Sequence, residues 1–113
     1  MNRGAAAEAL AARFLMARGL SIVGRNYRCR GGEIDLIVRD GKTLIFVEVR
    51  LRRSQAFGGA AESITATKRR RLRLAAQHYL LGLARELPCR FDAILLDGLA
   101  AGNIEWLRGI DID

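Results

Sequence analysis

The chain contains one proline, one histidine, one tryptophan and two cysteines in 113 residues, and aromatic residues make up only 6% of it. Each scarcity excludes something. With one proline, no low-complexity tract and 50% hydrophobic residues, the composition lies outside the disordered range. Cys29 and Cys89 lie far apart, with no second Cys or His at metal-ligand spacing, which argues against a zinc site. A disulfide between them stays open, although reduced thiols are the expectation for a chain without a secretory segment. No stretch approaches the ~20 apolar residues a membrane helix needs, and the Ala-rich opening from Gly4 to Ala12 carries Glu8, unlike a signal peptide. The expectation is a soluble, cytoplasmic protein whose residues 1–113 form one domain around one core.

Lysine is scarce too, because 17 of the 19 basic residues are Arg. The formal net charge is +7, and its location is informative. Between Arg50 and Arg73 lie Arg50, Arg52, Arg53, Lys68, Arg69, Arg70, Arg71 and Arg73 against the single acid Glu62; the rest of the chain is balanced. A concentrated patch of guanidinium forks, which grip phosphate in a bidentate way, points to DNA or RNA as partner. The competing reading is a solvated basic face paired with acids such as Glu62 or Glu86.

The pattern predicts a helix over Ala5–Arg18 stopped by Gly19, then strands over Leu20–Tyr27, Glu33–Arg39 and Thr43–Leu51, the last two joined at Asp40-Gly41. Ser54–Ser63, with Gly58-Gly59, reads as a loop. Thr65 or Thr67 is placed to cap a second helix reaching Leu83 or Glu86, with Leu72, Ala76, Tyr79 and Leu83 as its apolar stripe and Pro88 beyond it. Strands over Phe91–Leu96 and Ile104–Leu107 complete an α/β chain of order α-β-β-β-α-β-β. The strand–helix–strand crossover implies that Phe91–Leu96 runs parallel to Thr43–Leu51, giving a mixed sheet flanked by helices.

The hairpin carries the chemistry. With a two- or four-residue loop the position numbers of opposed residues add to 81 or 83, which collects Ile34, Leu36, Val38, Ile45, Val47 and Val49 on one face. The other face carries Glu33, Asp35, Ile37, Phe46, Glu48 and Arg50. A three-residue loop would mix the acids into the apolar face, where an unpaired charge is costly. Asp35 and Glu48 are then ~5 Å apart in one register and ~7 Å apart in the other. Like charges this close persist when a cation lies between them, and carboxylate oxygens suit Mg²⁺ or Mn²⁺, unless neighbouring arginines such as Arg50 neutralise them instead. Glu8 sits in a helical stripe of Gly4, Ala5, Ala11 and Ala12, small enough to bring it against the sheet, where it needs a cation or donors.

An early helical Glu, then Gly32-Glu33-Ile34-Asp35-Leu36-Ile37, Phe46-Val47-Glu48-Val49-Arg50, Lys68 and Arg90-Phe91-Asp92 together resemble the YraN-like family of bacterial proteins, almost from end to end. That family is similar in turn to Holliday junction resolvases within the restriction-endonuclease-like superfamily, whose core is a metal-binding Asp followed by Glu-X-Lys on adjacent strands. The resemblance implies a restriction-endonuclease-like fold, with Asp35 and Glu48 as metal ligands, Glu8 as the accessory acid and Arg50 at the usual Lys position. Arg50 departs from the pattern: it stays protonated and is a poor general base, but it can stabilise charge on a phosphate. Proton removal would fall to water acidified by the ion or to an acid such as Glu33.

The function expected is therefore Mg²⁺- or Mn²⁺-dependent hydrolysis of DNA, with branched DNA as a candidate substrate. Glu8, Asp35, Glu48 and Arg50 form the catalytic set, and Arg52, Arg53, Lys68, Arg69, Arg70, Arg71 and Arg73 track the nucleic acid. The rival is a non-catalytic nucleic-acid-binding module that keeps the nuclease fold; a basic scaffold for acidic proteins or ribosomal RNA is a weaker third. A homodimer is implied by analogy, since cutting two strands symmetrically needs two sites. His78 reads as structural, and Phe57 and Trp106 as packing residues rather than base-stacking ones.

Overall fold

The computed structural model describes residues 3–52, 64–99 and 103–112. The element order is α1 (Arg3–Met16), β1 (Ser21–Cys29), β2 (Gly32–Asp40), β3 (Thr43–Arg52), α2 (Ala66–Leu81), β4 (Cys89–Asp97) and β5 (Ile104–Leu107). The five strands form one sheet in sequence order. Pairing is antiparallel throughout except between β3 and β4, which are parallel across the α2 crossover, as the sequence implies. This is the mixed α/β sheet flanked by helices of a restriction-endonuclease-like fold. No helix among the described residues is long and apolar enough to cross a membrane.

Each helix covers one side of the sheet. Ala7, Ala11, Ala12 and Leu15 of α1 pack on Leu36, Val38, Ile45, Val47, Ile94 and Leu96. Leu72, Ala75 and Ala76 of α2 pack on Ile34, Ile37, Leu44 and Phe46. The alternating faces expected of β2 hold from Leu36 onward. Ile34 is the exception: it joins the α2 side although Leu36, two residues on, faces α1. The alternation therefore breaks at Asp35.

The hairpin closes at the pair Asp40–Thr43, leaving Gly41-Lys42 as the turn with Gly41 at φ 61°. Paired positions add to 83, which is the register that sets Asp35 opposite Glu48, one step past the last pair, Leu36–Val47. On the other side Thr65 caps α2, its hydroxyl accepting from the Lys68 backbone N–H at 3.2 Å. The helix stops at Gly82, short of the expected Leu83 or Glu86. The Gly82 and Leu83 N–H groups bond back to Tyr79 and Leu80 in the tighter three-residue pattern, and Leu83 and Leu87 still pack on the same core. The expected loop Ser54–Ser63, with Phe57 and Glu62, lies outside the described residues, as does Arg53.

Gly32 fixes how closely α2 approaches the sheet. A Cβ there would sit 2.6 Å from the Ala75 backbone nitrogen and 2.8 Å from the Arg71 carbonyl oxygen, both rigid helix backbone. Gly32→Ala is expected to push α2 outward and cost about 1–3 kcal/mol, the range for overpacking a dense core. A urea unfolding curve tests it, and a midpoint equal to wild type would disprove the contact.

Candidate active site

Asp35 is 6% exposed although charged, and its position follows from the break in β2. Its Oδ2 accepts the Val49 backbone N–H at 2.8 Å. A strand N–H lies in the sheet plane, so the carboxylate that meets it lies there as well, filling the gap where β2 and β3 part. From this position it reaches acids on both sides of the sheet. Glu48, its side chain 13% exposed, lies on the α2 side, and Glu8 reaches in from α1.

All three carboxyls are pushed upward in pKa. Burial is the largest cause for Glu8, followed by repulsion from Asp35, and the Asn26 side-chain amide opposes the rise. Burial also leads for Asp35, opposed chiefly by the Val49 N–H. Glu48 is raised to about 8 by burial and then by Asp35, with the Lys68 ammonium pulling the other way. Burial and mutual repulsion thus both favour a proton on the pair, against the pull of Lys68.

The α2 side of the site is a pocket of about 110 Å³ lined by Glu33, Glu48, Lys68 and Arg71. Lys68 Nζ stands 3.9 Å from Glu48 Oε1, and Arg71 Nη2 stands 3.4 Å from Glu33 Oε2. Arg28 approaches Glu33 from β1 at 3.8 Å. Arg50 lies on the same side of β3 as Glu48, half-buried, and is in no ion pair among the described residues.

The donor chemistry fits a hard divalent ion, since two desolvated carboxylates converge and only oxygen is offered. Among the described residues, however, no three His, Cys, Asp or Glu side chains form a group able to hold a metal. Asp35 and Glu48 would be the protein ligands, with Glu8 contributing negative charge beside Asp35 rather than a third arm in this conformation. Two carboxylates with water and substrate oxygens completing the shell is a common arrangement for Mg²⁺.

The arginines assigned to nucleic acid divide. Lys68 and Arg71 face the acid pocket and Arg70 is exposed. Arg73 is half-buried on the same helix. Arg69 turns back to donate to the Ile64 carbonyl at 2.6 Å. Arg52 is committed elsewhere: its fork meets both Asp97 oxygens at 3.0 Å, Glu105 lies 3.5 Å away, and its side chain is 12% exposed. His78 hydrogen-bonds the Tyr27 hydroxyl. Trp106 packs edge-on to Phe14, lies beneath Arg108, and donates its Nε1 to Asp92 at 2.9 Å. Cys29 and Cys89 are unbridged.

Sequence reasoning missed two residues. Asn26 has the only positive φ among the described non-glycine residues, 51°, and stands opposite Asp35 across β1 and β2. Asp92, noticed only through the resemblance, is fully buried and accepts from Arg90, Trp106 and Gly109.

Comparison with known proteins agrees with the residues that suggested the resemblance. The family described as "Uncharacterised protein family UPF0102" matches residues 7–96. A UPF0102 protein of Nitrosomonas europaea is 54% identical over 107 residues, covering 95% of this chain and 91% of its own. Another, from Dechloromonas aromatica, is 59% identical over 106 residues, covering 94% of this chain and 85% of its own. Because the matched segment spans most of the sequence and the identity extends nearly from end to end, the chain belongs to the UPF0102 family.

Proposed function

We propose that this protein is a divalent-metal-dependent nuclease that hydrolyses phosphodiester bonds in DNA. The observation that carries the reading is the Asp35–Glu48 pair, buried where β2 and β3 part and bordered by cations from α2. Mg²⁺ or Mn²⁺, when bound, polarises a phosphoryl oxygen and makes a neighbouring water more acidic. Asp35 and Glu48 hold the ion. The in-plane bond from Val49 fixes the Asp35 carboxylate, so its free oxygen is already oriented. Arg50, Lys68 and Arg71 bind the scissile phosphate and offset its negative charge. Glu33, half-buried beside the pocket, is the acid available to take a proton from the attacking water. A two-fold dimer would supply the second site that symmetric cutting requires.

The second reading is a DNA-binding module without catalysis, favoured by Arg50 at the strand position where a nuclease of this superfamily carries Lys. A panel of linear, nicked, single-stranded and four-way DNA with Mg²⁺ or Mn²⁺ separates the two. The nuclease cleaves at least one form, and Asp35→Ala abolishes cleavage while retaining DNA binding. Cleavage of no form together with no saturable ion uptake in calorimetry selects the second reading, and full activity of Asp35→Ala removes the first.

Salt dependence tests what both share. If Arg50, Lys68, Arg70 and Arg71 each contact one phosphate, affinity falls ~10²-fold between 50 and 200 mM salt. Binding that does not change over that range removes nucleic acid as the partner.

A further inference from the structure

We infer, on the footing of the nuclease reading, that the turn between β1 and β2 extends the phosphate-binding surface beyond the acid pocket, with Arg28 and Arg30 holding the backbone of a DNA duplex to one side of the scissile phosphate. Neither residue belongs to the basic run from Arg50 to Arg73. Outside that run the chain is balanced in charge, yet β1 and the turn after it, residues 21–31, carry Arg25, Arg28 and Arg30 and no acid. The turn rests on α2. A Cβ at Gly32 would meet the Arg71 carbonyl and the Ala75 nitrogen, and one at Gly31 would come within 3.6 Å of Leu74 Cδ1. Arg70, Arg71 and Leu74 share a helix face at spacings of three and four, so the two glycines set the Arg30 backbone beside that face. The helix itself contributes no acid.

Glu33 joins the two elements. It is paired with Arg28 across β1 and β2, and Arg28 Nε and Arg71 Nη2 approach the same oxygen, Oε2, at 3.8 and 3.4 Å. One carboxylate uses only part of the donor capacity of two guanidiniums and leaves their combined charge positive. The side chains of Arg28 and Arg71 are 71% and 51% exposed, so solvent screens both contacts and they add little to stability. Two forks converging from separate elements suit a phosphate, whose oxygens accept them in the bidentate manner that Glu33 does not provide.

The surface suits a duplex better than a single strand. Sites for single strands add aromatic rings on which bases stack. Here Tyr27 lies edge-on to Tyr79 with ring centroids 5.2 Å apart, Tyr79 lies edge-on to Phe46, and both tyrosines pack on the α2-side core. Arg28, Arg30, Arg70 and Arg71 are exposed, so the turn and the helix present charge, which holds a backbone without reading bases.

The test is binding of the full-length protein to a DNA duplex without divalent ion, so that the DNA stays whole. Each arginine that holds a phosphate adds about 0.9 to the salt slope, so Arg28→Ala/Arg30→Ala should lower the slope by about 2 and weaken binding to a duplex of ~30 base pairs at least ~10-fold in ~0.1 M salt. Lys42→Ala/Arg85→Ala removes the same charge from exposed positions near the hairpin end of the sheet, where the Leu44 N–H donates to the Pro88 carbonyl. That control should keep the wild-type slope and affinity, and both double variants should melt as wild type does. Wild type should bind the duplex more tightly than a single strand of the same length. An unchanged slope in Arg28→Ala/Arg30→Ala, equal losses in the two double variants, or a single strand bound as tightly as the duplex would each overturn the assignment. If Arg70→Ala/Arg71→Ala alone weakens binding, the nuclease reading keeps its contacts and only the turn is excluded. A wild-type protein that binds no duplex sinks the nuclease reading and the role of the turn with it.

Discussion

Glu48→Gln is expected to abolish ion-dependent cleavage and, in the same molecule, to stabilise the ion-free fold at pH 8. The two effects share one cause. The Glu48 side chain is 13% exposed and sits beside Asp35, and burial followed by that neighbour raises its pKa from 4.5 to about 8. An acid that holds its proton more tightly when folded than when unfolded has a definite sign in linkage. Between 4.5 and about 8 the folded chain binds more protons than the unfolded one, so stability falls as pH rises through that window and the full cost is present above it. Gln carries no charge and removes that part of the slope, while the loss of the ligand lowers the cleavage rate at least ~10²-fold, the scale of losing one group that stabilises the transition state.

Thermal unfolding at pH 5.5 and 8, with and without Mn²⁺, measures both sides. Each kcal/mol of lost stability lowers the midpoint by about 4–8 °C in a domain of this size. Wild type should melt several degrees lower at pH 8 than at pH 5.5, and Mn²⁺ should restore more of that loss at pH 8, because the ion binds the deprotonated pair. Glu48→Gln should show a flatter pH profile and little response to Mn²⁺. A variant that melts and responds to Mn²⁺ as wild type does would mean that Glu48 is neither strained nor a ligand.

Much of this site is legible in the sequence because strand periodicity is two. Parity alone put Asp35 and Glu48 together, and the only register compatible with an apolar α1 face is of the kind that the hairpin adopts. Parity failed at Ile34 because the reversal there depends on a left-handed residue in another strand and on a side chain that substitutes for a ladder bond. Neither leaves a local pattern. Arg52 looked like part of a phosphate-binding run, yet the parallel register sets it level with Asp97, at the far end of a crossover that sequence spacing cannot measure. The length of α2 was overestimated because Leu83 continues the apolar stripe. It packs on the core without being helical, since the chain tightens at Gly82.

The electrostatic arrangement also bears on the Arg50 departure. Lys68, from α2, reaches the edge of the acid pair that the strand itself furnishes with Arg. A compact ammonium at Glu48 and a planar guanidinium two residues along β3 can divide the labour of charge compensation and bidentate phosphate contact. Gly32 is what lets α2 lie close enough for this, so the glycine of the Gly32-Glu33-Ile34-Asp35 segment serves the site through packing.

The largest loss of stability is expected from Asp92→Ala, on β4 opposite Val47. Asp92 is fully buried, and its oxygens accept from Arg90 Nε at 3.0 Å, Trp106 Nε1 at 2.9 Å and the Gly109 N–H at 2.9 Å. It ties β4 to β5 and to the segment beyond it. Alanine leaves the Trp106 and Gly109 N–H groups without their acceptor and the Arg90 guanidinium without its counter-charge, a change that costs about 3–5 kcal/mol. The midpoint should drop by more than ~12 °C on the same scale. Asp92→Asn should fall in between, since one oxygen still accepts while the new NH₂ confronts donors. Trp106 is the sole tryptophan in the chain and contacts both Asp92 and Phe14 of α1, so its emission reports the loosening directly. A loss below ~1 kcal/mol in urea unfolding, within the range of a single neutral hydrogen bond, would show that Asp92 does not carry the buried charge network. If the loss is as large as expected, the Phe14–Trp106 contact also transmits it to α1, the helix that carries Glu8.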